Sequence, residues 1–349
     1  MADIKFSIII PVYNNTTTIE RCLDSVCKQL YKNFEVILVD DGSDVSYDYL
    51  KEKYENLITV RLPENKGQSY ARQYAIDNVA TGDWIMFVDS DDELINVCTL
   101  MTLARTIRKS PDSLVLRSKF AIINNDNIAN NKFTITSPYF QPLHGIAFNS
   151  NFLKRDNIRF CDKLKIYEDQ HFYLQCMYVI QYKYDNKGIV DISSITYNYH
   201  MSSTCMSQNL YKYRLGLSDD DNIMHIDMLY DLYDKFSDVL PKKEKEFLVL
   251  LILILSVQLY VSMDENMFDR TKKLVLHISD MIDRFSADFN KSDRFRFNDF
   301  FKFIDVSDEM KSVIDQIINQ TGLTYETFMY MCEDLYIYHT ILNKDNSMK

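Results

Sequence analysis

Glycine and proline are scarce, 7 and 6 among 349 residues, too few for a collagen-like repeat, a flexible linker protein or a low-complexity chain. Positive charge is also short: 39 Lys and Arg stand against 50 Asp and Glu, for a net charge of −11. No basic cluster offsets that deficit, so a sequence-independent grip on nucleic acid is not expected. The seven cysteines, at 22, 27, 98, 161, 176, 205 and 332, are odd in number and form no Cys-x-x-Cys pair or metal-finger spacing, which fits a reducing compartment. Long apolar runs are missing as well. The longest, Phe247 to Val261, is broken by Ser256 and Gln258 and falls short of the roughly 18 to 20 residues that a spanning helix needs, so it reads as a buried helix. The opening residues MADIKFSIIIPVYNN lack the layout of a secretory leader and read as a first strand, so the expected location is cytoplasmic.

What is present is a globular composition, 46% hydrophobic and 26% charged, over a length that suits two domains at roughly 150 residues each. Up to about residue 124, short β-rich runs (6–12, 35–39, 57–62, 84–88 and 113–123) alternate with segments of helical period, the pattern of a mostly parallel sheet flanked by helices. Ile19, Leu23, Val26 and Leu30 make one helical stripe, and a second helix over 68–79 follows Gly67. Right-handed crossovers would bring the ends of strands 1, 2 and 4 to one sheet edge, where open α/β folds bind ligands. The Asn-rich stretch 124–132 reads as a surface loop, with the sheet resuming after it. Beyond about 208 the alternation gives way to helical stripes, such as Phe268, Thr271, Val275, Ile278, Ile282 and Phe285, with further helices at 217–236, from Pro241, at 307–319 and at 324–342.

Four stretches hold chemistry-bearing side chains. Val39-Asp40-Asp41-Gly42-Ser43-Asp44 puts two carboxylates at a strand's C-terminal end, as acceptors for a ligand's N–H or hydroxyl groups or as an Asp-Gly turn with a helix cap. Asp89-Ser90-Asp91-Asp92-Glu93 concentrates four mutually repelling carboxylates after Trp84–Val88. A hard cation, Mg²⁺ or Mn²⁺, would relieve that repulsion, as would solvation of an exposed loop. Lys66 and Arg72 flank a helix N-terminus, where they can hold phosphate oxygens or simply lie on the surface. In Ile166-Tyr167-Glu168-Asp169-Gln170-His171-Phe172 two acids precede an apolar helix, and as neighbours they point to different faces. No G-x-G-x-x-G, Walker loop or H-E-x-x-H is present.

Taken in order, strand-PVYNN, strand-VDDGSD, NKGxxxAR, strand-VDSDDE and YEDQHF resemble the family 2 glycosyltransferases of the GT-A fold, over roughly residues 5–205. The resemblance implies a Rossmann-like, mostly parallel sheet with flanking helices over 1–208 and an all-α domain over 209–349. It implies an inverting, metal-dependent transferase using a nucleotide sugar, preferably UDP-linked. The acceptor would be a glycan, a lipid-linked or polysaccharide precursor, or a protein-linked saccharide. A non-catalytic nucleotide-sugar-binding scaffold would keep the same fold.

Carried over residue by residue, Pro11, Tyr13 and Asp40 would hold base and ribose, and Asn65, Gly67, Ala71 and Arg72 would line the nucleotide. Asp89 and Ser90 would approach the ribose or sugar, while Asp91, with Asp89 and help from Asp92, would bind Mn²⁺ or Mg²⁺ on the diphosphate. Asp169 would be the catalytic base, with Glu168 beside it. His200 stands where the family commonly has Arg, and is carried as a phosphate or metal contact. In enzymes resembling this one, helical appendages bind acceptor, form homo-oligomers or touch the inner face of the membrane, and Lys242, Lys243 and Lys245 before the apolar run allow the last.

Overall fold

The structure is a computed structural model that describes residues 3–124, 131–133, 143–162, 164, 167–201, 219–236, 238–240, 248 and 252. The chain divides into two compact units, Met1–Leu215 and Gly216–Lys349. The first is an α/β unit. Its strands are β1 Phe6–Val12, β2 Phe34–Asp40, β3 Leu57–Arg61, β4 Trp84–Phe87, β5 Glu93–Leu94, β6 Val115–Asn124, β7 Asn131–Phe133, β8 Ile146–Asn149 and β9 Ile189–Met201. Its helices are α1 Ile19–Cys27, α2 Leu50–Lys53, α3 Gln68–Asn78, α4 Thr99–Lys109, α5 Ser150–Arg155 and α6 Glu168–Lys183.

The strands form one sheet in the order β3-β2-β1-β4-β8-β6-β9-β5, with β7 paired to β6. The β3-β2-β1-β4 half is parallel throughout, whereas β8 runs antiparallel to both β4 and β6. The sheet is therefore parallel through the first four strands of the alternating sequence pattern and mixed from β8 and β6 onward. Every residue of β1 and β2 is buried, which is why both read as unbroken apolar runs: a central parallel strand is covered on its two faces. Because β1 has β2 on one side and β4 on the other, the strand order reverses there, and a crevice opens at the C-terminal ends of β1 and β4.

Helix α1 buries Ile19, Cys22, Leu23 and Val26 but ends at Cys27. Leu30, expected on the same stripe, is exposed, and its N–H bonds the carbonyl of Val97 instead of continuing the helix. Helix α6 is buried nearly all round, with Phe172, Tyr173, Leu174, Cys176, Tyr178, Val179 and Ile180 inside, so it shows no apolar stripe of its own. Phe87, Phe148, Phe160 and Phe172 pack β4, β8 and α6 together, the last two stacked at 4.2 Å between centroids.

In the second unit one helix is described, α7 Asp219–Phe236, with Ile226, Met228, Leu229, Leu232 and Tyr233 buried. Of the helix expected from Pro241 the structure describes Leu248 and Ile252, both helical and buried, whereas the helices expected over 268–285, 307–319 and 324–342 lie outside the described residues, as does most of the expected Asn-rich loop, whose ends belong to β6 and β7. Among the described residues, no helix is long and apolar enough to cross a membrane.

Candidate active site

The loops after β1 and β2 are laced together. Asn14, in the left-handed region at φ 50°, donates its N–H to Ser43 Oγ (2.9 Å) and accepts from the Asp44 N–H (2.8 Å). Asp40 Oδ1 accepts the Ser43 N–H at 2.9 Å, and its Oδ2 faces Arg61 Nη1 at 3.6 Å. Asp41 is buried and accepts the Lys66 and Gly67 N–H groups at 2.9 and 2.7 Å, so it fixes the Asn65–Gly67 loop. Between these acids Gly42 has φ +70°, and a Cβ there would stand 2.5 Å from the carbonyl carbon of Glu64. Pro11 is buried in β1, while Tyr13 is half exposed at the crevice edge.

Arg72 is placed differently from a surface or nucleotide-facing residue. It is buried on α3, with Nη2 donating to Asp89 Oδ1 (2.6 Å) and to Gln68 Oε1 (3.0 Å), and Nη1 donating to Glu168 Oε1 (3.1 Å). Its guanidinium lies 5.7 Å from the centroid of the Phe160 ring. One cation thus ties the Asp89 loop to the start of α6.

Helix α1 and the residues before it hold the Asp89–Asp92 loop by its backbone. Thr18 Oγ1 donates to the Ser90 carbonyl (3.0 Å), Arg21 Nη2 to the Asp91 carbonyl, and Cys22 Sγ to the Asp89 carbonyl (3.4 Å), while Asn15 Nδ2 donates to Ser90 Oγ (3.0 Å). From the other side β5 pairs with β9, and Tyr197 closes the loop: its hydroxyl donates to Asp92 Oδ2 (2.7 Å) and accepts the Asp89 N–H (3.1 Å).

His200 does not join this cluster. Its backbone N–H donates to Asp92 Oδ1 (2.8 Å) and its Nε2 lies 3.2 Å from Glu93 Oε1, because the β5–β9 pairing sets it beside Glu93. The histidine that does face the acids is His144, whose Nε2 lies 3.5 Å from Asp89 Oδ2 and 3.7 Å from Asp92 Oδ2. Among the described residues, the group of metal-ligating side chains brought together is Asp89, Asp92 and His144, with one atom from each inside a 4.8 Å span. Two carboxylates and an imidazole suit a divalent cation. Of the expected ligands this group contains Asp89; Asp91 is half-buried on the same loop. Sequence reasoning missed His144 because it belongs to no motif and has no characteristic spacing to the acids, and only the sheet brings it to them.

Electrostatics separate the carboxylates. Burial alone would raise the Asp89 carboxyl, yet Arg72 and His144 hold it well below the usual range. Asp92 is pushed up to about 7 by burial and by the charges of Asp89 and Asp91, which outweigh His144. Glu168 is pushed up to about 7 by burial and the neighbouring Asp169, against Arg72. Asp169 is likewise raised by burial, opposed by Arg72 and by the Gln170 N–H, which it accepts at 2.7 Å. Tyr167, just before this pair, has φ 63°, a strained backbone of the kind that recurs at functional sites.

This is an α/β fold of the GT-A class, and residues 7–172 match the family described as Glycosyl transferase family 2. Over 183 residues the chain is 33% identical to poly(ribitol-phosphate) beta-glucosyltransferase of Bacillus spizizenii, covering 48% of this chain and 28% of that one. It is 32% identical over 183 residues to poly(ribitol-phosphate) beta-N-acetylglucosaminyltransferase TarS of Staphylococcus aureus, covering 48% and 31%. The chain therefore spans less than a third of the length of these relatives. The crystal structure of S. aureus TarS 1-349 in complex with UDP-GlcNAc superposes with a TM-score of 0.53 at 20% identity, over 98% of this chain and 92% of that one, a likeness of fold.

Proposed function

We propose that this chain is an inverting glycosyltransferase that moves a sugar from a nucleotide sugar, UDP-linked, to a hydroxyl of a glycan or polysaccharide precursor. The observation that carries the reading is the Arg72 bridge, which sets the acidic loop at the crevice and the Glu168-Asp169 pair side by side. The relatives named above as glucosyl- and N-acetylglucosaminyltransferases, and a fold shared with a protein crystallised with UDP-GlcNAc, support the donor class.

In this reading Asp169 takes the proton of the acceptor hydroxyl while its oxygen attacks the anomeric carbon. The bond from that carbon to the diphosphate breaks, and its electron pair leaves with the nucleoside diphosphate. A single displacement inverts the centre. A base with a raised pKa suits this step, since it gains driving force for proton removal. Asp40, Tyr13 and the Asn65–Gly67 loop face the nucleotide. Mn²⁺ or Mg²⁺ bound at the acidic loop would supply Lewis-acid neutralisation of the leaving diphosphate.

The test is calorimetric binding of UDP, GDP, dTDP and ADP, with Mn²⁺ and with EDTA, to the wild type and to Asp169→Asn, alongside turnover. Metal-dependent preference for UDP by both proteins is expected, with transfer reduced about 10²–10⁴-fold in the variant. No nucleotide binding at all would overturn the donor reading. Undiminished transfer by the variant would remove Asp169 as base.

A further inference from the structure

We propose that Phe160 is a positioning residue for sugar transfer: the face of its ring orients the Arg72 guanidinium, and through Arg72 it holds the Asp89 loop and the start of α6 at their working separation. The inference deepens the function proposed above and rests on it for the roles of that loop and of the Glu168-Asp169 pair.

The chain between α5 and α6 is fastened on both sides of this ring. Arg159 makes a two-point ion pair with Asp77 (3.1 and 2.6 Å), the Phe160 N–H donates to Gln73 Oε1 (2.9 Å), and the Leu164 carbonyl accepts from Ser69 Oγ (3.0 Å). Ser69, Gln73 and Asp77 recur every four residues, so one edge of α3 supplies all three contacts. From α6, Gln175 Nε2 donates to the Arg159 carbonyl (2.8 Å). Residues 159 and 160 are thus anchored to both helices, α3 that carries Arg72 and α6 that opens with the acid pair.

The ring itself is buried. Phe172 is stacked on it at 4.2 Å with 14° between planes, Phe87 stands edge-on at 5.3 Å, and the guanidinium carbon of Arg72 lies over it at 5.7 Å. A cation within about 6 Å of an aromatic centroid is drawn to the negative face of the ring, more strongly where water is excluded. This contact supplies what the hydrogen bonds of Arg72 leave open. Nη1 bonds Glu168 and Nη2 bonds Asp89 and Gln68, whereas Nε is buried with no hydrogen-bond partner. Bonds at the two terminal nitrogens fix where the fork points but not the tilt of its plane about the line joining them. A ring under the guanidinium carbon restrains that tilt. The restraint matters because the two nitrogens serve different parts of the site: a tilted fork keeps one acid only by lengthening its bond to the other, and small displacements of reacting groups are costly in rate.

The test keeps the shape of the ring and changes only its charge distribution. In the full chain, Phe160 is replaced by phenylalanines bearing one, two and three ring fluorines, which weaken the negative face stepwise. The readout is UDP release from UDP-GlcNAc and UDP-glucose with water as acceptor, so no glycan has to be identified beforehand. The kcat should fall stepwise to about a tenth at three fluorines, the order expected for a desolvated cation–π contact, while donor KM stays within several-fold. Trifluorination of Phe148, which packs on the same Phe87 and Phe172 but has no cation over it among the described residues, should leave kcat unchanged. Phe160→Tyr, which keeps the face, should retain turnover, and Phe160→Leu should lose at least as much as the trifluorinated ring; circular dichroism melts establish that each protein is folded. A kcat indifferent to fluorination at 160, or one that falls equally on fluorination at 148, overturns the inference and leaves the transferase reading intact. A wild type that neither binds UDP nor releases it from either sugar nucleotide removes the donor reading, and the inference with it.

Discussion

Arg72 and Glu168 form a buried pair whose worth depends on which partner is removed. Taking away the cation strands Glu168 and Asp169 together in a desolvated place, and breaking such a pair costs about 3–5 kcal/mol. Taking away the acid is gentler, because Glu168 is the member that burial disfavours in its charged form. Its carboxyl titrates at about 7 in the fold, against about 4.3 in an unfolded chain. Between those values the folded state carries a proton that the unfolded state lacks, so stability falls as pH rises through that window. Asp92 and Asp169, also raised, act in the same direction. Glu168→Gln should therefore flatten the decline of the urea midpoint between about pH 5 and pH 7, while Arg72→Gln lowers the midpoint throughout. A wild-type midpoint that climbs over that range would contradict the burial of these acids.

At the level of elements, the β1-β2-β3-β4 half was readable because its strands are continuous apolar runs and its acids sit at their ends. Val39–Asp44 and Asp89–Glu93 do stand at one sheet edge, since β1 pairs in parallel with both β2 and β4. The second half was less legible for definite reasons. Glu93 and Leu94 look like part of an acidic loop, yet they pair with β9, and that pairing is what places Tyr197 and His200. Helix α6 is wrapped in protein and shows no periodicity, and His144 depends on a turn whose partner, Ser118, is 27 residues away. Arg72 has the sequence look of a helix-surface residue; only the packing of α3 beside α6 makes it a buried bridge. Gly42 was readable as a turn, but the close approach of the Glu64 backbone was not. Gly42→Ala must adopt a left-handed conformation, at about 1–2 kcal/mol, and also push the Glu64–Asn65 backbone aside. The expected loss exceeds about 2 kcal/mol in denaturant unfolding, with UDP affinity falling in step because the Asn65–Gly67 loop moves. A variant as stable as the wild type would show that this loop yields freely.

For the whole molecule, the question is what the second unit adds. The residues named in the site, from Pro11 to His200, fall inside Met1–Leu215, and the hydrophobic cluster around β1, running from Ile4 to Tyr197, lies there too. An α/β unit with its own core and its own crevice has what it needs to fold and to hold a nucleotide. In the proposed reaction acceptor choice is a separate demand, because the glycan would have to be presented to Asp169 from outside the donor pocket. We therefore expect a chain ending at Leu215 to bind UDP with Mn²⁺ within several-fold of the full chain and to keep slow hydrolysis of a UDP-sugar. Its transfer to a glycan acceptor should fall by at least about tenfold, through a raised acceptor KM with little change in donor KM, as loss of binding energy remote from the reacting atoms predicts. Circular dichroism and a cooperative melt establish that the shortened chain is folded before its kinetics are read. Equal transfer by the two chains would place acceptor recognition wholly in the α/β unit. Loss of UDP binding in a folded shortened chain would instead make the second unit part of the donor site.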